Sequence, residues 1–355
     1  MPVLNHSSII NEVFWIRAIA CLAVAVIHSV NTTLANYEDV IVQIDEYILI
    51  AIRFAAFFGT PAFVFISELL LSHVYPNHVP EDFFKKRITF LLCPFIFMGI
   101  VFAAITNNSI SGFINDIFLN VFLGGYTGYF ILIIFQFYIL HYFFHVYLNK
   151  WSAKKMLLLS FAANILYLAF FNVTEAPSGQ VGDYIWERGY WLLFVGWIFY
   201  FTLGYYCGKN YSYFKEKVLK HKRFVFVVPA LAYVVMLFLV RTDILDVVSS
   251  KRVDNIFYTI GIISVIVFVS KYWEEVPRSV LFISKYSFQI YLLHKVVLHY
   301  LPTIDFFSPL LYFILVFVIA VLGAIGISML LNRFSWSKYL IGRTLFVPTS
   351  KKKIS

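Results

Sequence analysis

Charge is what this sequence has least of. Asp, Glu, Lys and Arg make up 13% of its 355 residues, about half the share of an ordinary soluble domain, and that excludes a water-soluble enzyme. Cysteine is nearly missing. Cys21, Cys93 and Cys207 each sit in an apolar run at unrelated spacings, so neither a disulfide framework nor a metal site is expected. Residues 1–12 hold no Lys or Arg and no small-residue cleavage pattern follows, so a cleaved signal peptide is not expected. Walker, Rossmann, Gly-x-Ser-x-Gly and His-Glu-x-x-His patterns are all absent, which removes the usual signatures of nucleotide, serine-hydrolase and zinc chemistry. No repeat, low-complexity linker or Pro/Ser-rich hinge divides the chain, and residues 1–355 read as one domain.

What the sequence has in excess is apolar bulk. It is 61% hydrophobic and 20% aromatic, with 40 Phe, 24 Tyr and 7 Trp, and its mean hydropathy is +0.80. So much apolar surface beside so few charges must face lipid. The expectation is an all-α polytopic integral membrane protein of about ten transmembrane helices. Apolar runs place them near 13–30, 44–71, 88–106, 129–148, 156–172, 190–208, 224–240, 255–270, 279–300 and 310–331. Residues 107–128 are expected to lie flat at the outer interface.

The formal charge of +9 needs no nucleic acid to explain it. Outside the spans, the basic residues collect on alternate connections: Lys85, Lys86, Arg87, Lys150, Lys154, Lys155, Lys209, the 215–223 segment, Lys271, Arg278, Arg333, Lys338, Arg343 and Lys351 to Lys353. The other connections hold only Arg188, Arg241, Lys251 and Arg252. That bias orients the protein with both termini cytoplasmic.

Ionisable residues inside spans cost about 2.5–3.5 kcal/mol each on insertion scales, so each asks for a reason. In the first span Arg17 and His28 interrupt an apolar run. Eleven residues of helix turn roughly 1100°, close to three full turns, so the two side chains share one face about 16.5 Å apart. Arg17 lies toward the cytoplasm, His28 toward the outside. Taken singly, Arg17 reads equally as a snorkelling cation and His28 as an interfacial residue. In the second span Arg53 lies deep, Gly59-Thr60-Pro61 should bend the helix, and Glu68 sits near the inner end, about 22 Å from Arg53. Each of these charges therefore needs a partner from elsewhere or a wet cavity. In the ninth span Ser287, Tyr291 and His294 form a polar stripe at i, i+4, i+7, read either as interhelical hydrogen bonding or as one wall of a site shared with His28.

The spacing Arg17-x10-His28 resembles the signature of the membrane acyltransferase-3 family, which O-acylates bacterial surface glycans. Phe58-Gly59-Thr60-Pro61-Ala62-Phe63 after Arg53, Phe84-Lys85-Lys86-Arg87 followed by Pro94, and Ile290-Tyr291-Leu292-Leu293-His294 follow in the family's order. Gly128-Tyr129-Phe130 and Gly196-Trp197-Ile198-Phe199-Tyr200-Phe201 resemble the branch found in poly-N-acetylglucosamine biofilm systems. The chain departs from the family at Ser67-Glu68-Leu69, where many members have Ser-Gly-Phe.

The resemblance implies a multi-pass protein of the bacterial plasma membrane. It also implies an acyl-CoA donor reaching it from the cytoplasm and a cell-surface glycan hydroxyl as acceptor, with no permanently bound cofactor; that no metal is expected follows from the histidine spacing. It casts Arg17 as donor-phosphate anchor, His28 as general base or acyl carrier, and Arg53 as oxyanion stabiliser or partner of a dicarboxylate acyl group such as succinyl. His294, Tyr291, Ser287, Tyr129 and Glu68 complete the expected substrate contacts. Tyr126, Tyr184, Trp186, Tyr190 and Trp191, with Tyr129, are read either as sugar-stacking faces or as an ordinary aromatic belt. Two rival classes remain open: a polysaccharide exporter, and a non-catalytic partner of a glycan synthase.

Overall fold

A computed structural model describes residues 10–304 and 306–348; the basic residues Lys351 to Lys353 lie outside the described residues. Among the described residues the fold is all helical, and each of the ten expected intervals is helical over most of its length. Seven helical units are long and apolar enough to cross a membrane, or eight if one bent pair forms a single span. The count stops short of ten for physical reasons. The helix at Asn255–Ser270 has 16 residues, about 24 Å against a hydrocarbon core of about 30 Å. The one at Arg278–His299 is long enough at 22 residues, but its polar stripe lowers its hydropathy.

The first helix, α1 (Asn11–Asn36), lies at the centre of the bundle. It packs against α2 (Gln43–Ala55) and α3 (Gly59–Val74), and later against three helices from the C-terminal half. Between α2 and α3 the chain breaks over 56–58, as Gly59-Thr60-Pro61 leads one to expect. Pro61 has no N–H to give the Phe57 carbonyl one turn back. That carbonyl accepts instead from Asn255 Nδ2 at 3.1 Å, and the Ala55 carbonyl accepts from the Tyr258 hydroxyl at 2.8 Å. Gly59 itself is held against α1: a Cβ there would lie 2.9 Å from the Ala20 carbonyl oxygen.

Next come α4 (Phe83–Arg87) and α5 (Cys93–Thr106), joined by a π-helical turn, and α6 (Ile110–Phe122). Here the structure corrects the expectation for 107–128. Asn107 bonds Asp116 at 2.6 Å, Asn120 donates to the Gly99 carbonyl at 3.0 Å, and Tyr126 donates to the Phe95 carbonyl at 2.6 Å. The partners step backward along α5 as α6 advances, so α6 folds back antiparallel on α5. Its stripe of Ile110, Ile114, Phe118 and Phe122 stays exposed, and a patch periodicity that suited an interfacial helix suits a lipid-facing one equally.

The helices α7 (Phe130–Lys150) and α8 (Ala153–Val173) lead to a second interruption. The short helices α9 (Gln180–Tyr184) and α10 (Tyr190–Leu192) close one helical unit, which meets α11 (Ile198–Lys209) at a 50° bend. Gln136 of α7 mends this break, donating to the Leu192 carbonyl at 2.8 Å and accepting from the Phe194 N–H at 3.0 Å. The expected single sixth span is therefore a bent pair. Gly204 and Gly208 of α11 let it press onto α3, where added Cβ atoms would lie 2.5 Å from the Phe65 carbonyl oxygen and 2.2 Å from that of Leu69.

The remaining helices are α12 (Tyr211–Lys220), α13 (Lys222–Arg241), α14 (Asn255–Ser270), α15 (Arg278–His299), α16 (Pro309–Leu331) and α17 (Ser337–Leu340). Contacts sort the connections into two ends. Lys215 pairs with Glu12, Lys209 reaches the Asn149 carbonyl, Asn149 bonds Asn77, and the Leu345 N–H meets the Lys285 carbonyl. This is the basic end. At the opposite end Tyr37 bonds the Ile304 carbonyl, Tyr184 that of Leu123, and Arg188 that of Gly125.

Candidate active site

At the basic end a cavity of about 360 Å³ opens between α1, α3, α7 and α15. Its walls are largely aliphatic and aromatic, and its charged groups are Arg17, Lys86 and Arg87. Arg17 lies half-buried with its guanidinium 5.8 Å from the Phe14 ring centre, within electrostatic reach of Tyr138. Arg87 covers the Phe83 ring at 3.8 Å and the Tyr138 ring at 5.3 Å. Ser287 and Tyr291 line the same cavity. Their hydroxyls are already spoken for: Ser287 Oγ donates to the Ser284 carbonyl at 2.9 Å and the Tyr291 hydroxyl to the Thr127 carbonyl at 2.6 Å. The cavity thus presents their carbon frames more than their donors.

Further along α1 stands His28, whose ring centre is 5.2 Å from that of His294 on α15. The two expected imidazoles are brought together, and α1 and α15 are tied below them by the Cys21 thiol to the Ser287 carbonyl at 3.4 Å. His294 Nδ1 donates to the Ile290 carbonyl at 2.8 Å, because a carbonyl only accepts; in the neutral ring this leaves Nε2 with a free lone pair. That Nε2 is buried with no hydrogen-bond partner among the described residues. Two lysines, Lys295 and Lys251, stand within electrostatic reach of His28.

The other expected residues go elsewhere. Arg53 Nη1 donates to Asn31 Oδ1 at 2.9 Å, which places it beside α1 one turn past His28, and its Nε has no partner among the described residues. Glu68 turns away from the cavity: Oε1 meets His141 Nδ1 at 2.6 Å, and both side chains are buried. Tyr129 belongs to a different cavity at the opposite end, of about 440 Å³, where its ring centre lies 4.1 Å from that of Trp191. Among the described residues no group of three or more His, Cys, Asp or Glu is arranged to hold a metal.

Sequence reading missed Lys251 and Lys295 as neighbours of His28. Lys295 is adjacent to His294 and was within sight; Lys251 is 223 positions away from His28 on another connection, and no local pattern marks it. In the sequence Lys86 and Arg87 mark only the orientation and a place in a motif.

An acyltransferase-domain model, that of the acyltransferase-3 family, matches residues 10–333. The chain belongs to the acyltransferase-3 family. Its relatives include a Bacillus subtilis protein provisionally named membrane-bound acyltransferase YfiQ, 35% identical over 97% of each chain. A Staphylococcus aureus protein provisionally named poly-beta-1,6-N-acetyl-D-glucosamine export protein is 30% identical over 94% of this chain and 95% of its own. Its Staphylococcus epidermidis counterpart of the same name is 27% identical over 94% of each. No solved structure matches the chain. As an acyltransferase-3 family member with seven or eight membrane-length helical units, it is an integral membrane protein.

Proposed function

We propose that this family member is an O-acyltransferase of the bacterial plasma membrane, moving an acyl group from a cytoplasmic acyl-CoA-type donor to a hydroxyl of a cell-surface polysaccharide. One observation carries the reading: a single face of α1 joins a cation-mouthed apolar cavity at the basic end to a pair of imidazoles without a carboxylate. The positive-inside rule puts the basic end in the cytoplasm. Arg17, with Lys86 and Arg87, then meets the donor's phosphates, and a cavity of about 360 Å³, within the range of small-molecule sites, takes the thioester arm.

The reaction needs one proton removed and one returned. His28 takes the proton of the sugar hydroxyl as its oxygen attacks the thioester carbonyl. The C–S bond breaks, the ester forms, and the leaving thiolate takes the proton from the His28 imidazolium. His294, with Nδ1–H fixed on the Ile290 carbonyl, offers the Nε2 lone pair as a second acceptor for that proton on its way. Arg53 beside Asn31 is the cation for the oxyanion or for a far carboxylate on the acyl group.

Export of the polymer is the second reading, favoured by the name of the staphylococcal relatives and by the second broken helical pair, since paired interruptions are a mark of transporters. Mass analysis of the surface glycan separates the two. The enzyme reading expects polymer without ester when His28 is replaced by Ala; the export reading expects the polymer itself to disappear from the surface.

A further inference from the structure

The cavity at the end opposite the donor mouth carries a charge that its surroundings do not balance. Two neighbouring cations show the difference. Arg252 is wholly buried, and its guanidinium holds both Asp254 carboxylate oxygens at 2.7 and 2.9 Å and the Leu245 and Val247 carbonyls at 2.8 Å. Lys251 is fixed by the same loop, its N–H donating to Ser249 Oγ at 3.3 Å, yet its ammonium makes no ion pair among the described residues. It rests on ring faces, 4.2 Å from the centre of Trp191 and 5.1 Å from that of Tyr129. Burial, and after it the Arg188 guanidinium, push its pKa down to about 7.

Arg188 shares the cavity and spends Nη1 on the Gly124 and Gly125 carbonyls. The cavity's carboxylate, Glu187, lies 71% exposed and 3.4 Å from Arg188. The indole N–H groups of Trp186 and Trp191 already donate to the Thr174 and Glu187 carbonyls, so neither offers a donor; the partly exposed Trp186 offers ring face, while Trp191 is buried behind Tyr129 and Lys251. Flat ring faces beside an unbalanced cation describe a carbohydrate site with a place for an anion.

We propose that this cavity is the acceptor subsite and that it takes an acidic sugar ring, the ring stacking on the partly exposed Tyr129 and Trp186, which Tyr190 and Trp191 back from within, and its carboxylate pairing with Lys251. Lys251 is then a positioning residue, holding the ring within reach of His28. The inference rests on the acyltransferase reading for the word acceptor, while the binding it asserts stands or falls separately.

The groups facing Lys251 are Arg188, Glu187, Tyr129, Tyr190 and, from α1, His28. The test uses the full-length protein in phosphatidylcholine nanodiscs, with tryptophan fluorescence titrated by a tetrauronate and by a neutral tetrasaccharide. At pH 6 the uronate should bind about tenfold tighter. The ammonium form binds the anion and is lost as pH rises through 7, whereas the carboxylates stay ionised, so the advantage should fade by pH 8.5. Lys251→Met should abolish it. Lys251→Arg should keep it and remove its pH dependence; dependence persisting there belongs to His28 and overturns the role of Lys251. Equal affinities at pH 6, or an advantage intact in Lys251→Met, also overturn the proposal. So does displacement of the uronate by phosphatidylglycerol added to the discs, which would make this a lipid-headgroup site. Should Lys251→Met fail to fold, Lys251→Arg decides: a uronate preference that no longer depends on pH supports the proposal, and one that still does overturns it. Uronate binding without ester on any glycan would leave this proposal standing and defeat the acyltransferase reading; ester formation with no uronate preference would do the reverse.

Discussion

Two pairs of histidines lie inside the bundle at nearly the same separation, and they keep different company. His141 and His145, one turn apart on α7, stack at 5.4 Å and 13°. His28 and His294 come from helices at opposite ends of the chain and meet at 5.2 Å and 41°. The first pair is tied to a carboxylate: His141 holds Glu68 through Nδ1, and His145 Nδ1 bonds the His141 carbonyl at 2.9 Å, while His141 Nε2 is buried without a hydrogen-bond partner among the described residues. The second pair has Lys295 and Lys251, and no carboxylate among the described residues, within electrostatic reach, and like the first it has one buried ring nitrogen, His294 Nε2, without a partner there. Proximity of imidazoles is therefore a poor guide to chemistry. Whether a carboxylate or a pair of lysines accompanies the rings is the better one.

The largest effect that sharpens this contrast is expected at His28. His28→Ala should lower acyl transfer by about 10²–10⁴-fold, the usual loss for a general base, with protein abundance in the membrane unchanged. Glycan ester per unit of protein measures it, and ester retained in His28→Gln would shift the base to His294. Arg17 comes next. Arg17→Ala should lose most acyl-CoA binding, while Arg17→Lys keeps part of it, since lysine supplies charge without the bidentate fork. Tight binding of acyl-CoA by Arg17→Ala in a direct titration would return Arg17 to the role of a snorkelling cation.

A smaller and more selective change is expected at Arg53. If it pairs with a dicarboxylate acyl group, Arg53→Gln shifts preference from succinyl-CoA toward acetyl-CoA; if it stabilises the oxyanion, the variant slows both alike. Competition between the two donors in membranes separates these outcomes. The smallest effect on turnover is expected from the other pair. His141→Leu leaves the buried Glu68 carboxyl without its partner and should lower stability by about 1–3 kcal/mol, read as a drop in Tm, while turnover per folded molecule stays within about twofold. A loss of turnover at His141 comparable with that at His28 would break the comparison.

Legibility in the sequence followed the range of the interactions. Arg17 and His28 were readable because 3.6 residues per turn fixes their common face within one helix. The break at Gly59-Thr60-Pro61 was readable because Pro61 removes a donor wherever it stands. The break after Leu192 was not: Gln136, from another helix, bonds the groups it exposes, and nothing near Leu193 announces that. The folding back of α6 on α5 depends on Asn120 and Tyr126 reaching carbonyls more than 20 positions away. Glu68 looked like a site residue because a membrane acid demands a partner; that the partner is His141 is a tertiary fact. The place of Lys251 beside His28 is another, created by a loop that the neighbouring Arg252 fixes from within.

The most direct measurement is ester-linked acyl content of the surface glycan, by mass analysis, in cells carrying the parent protein, His28→Gln or His141→Gln at equal membrane abundance. Ester with the parent and with His141→Gln, but none with His28→Gln, is the result this account expects. Ester undiminished in His28→Gln, or equal loss in both variants, would contradict it.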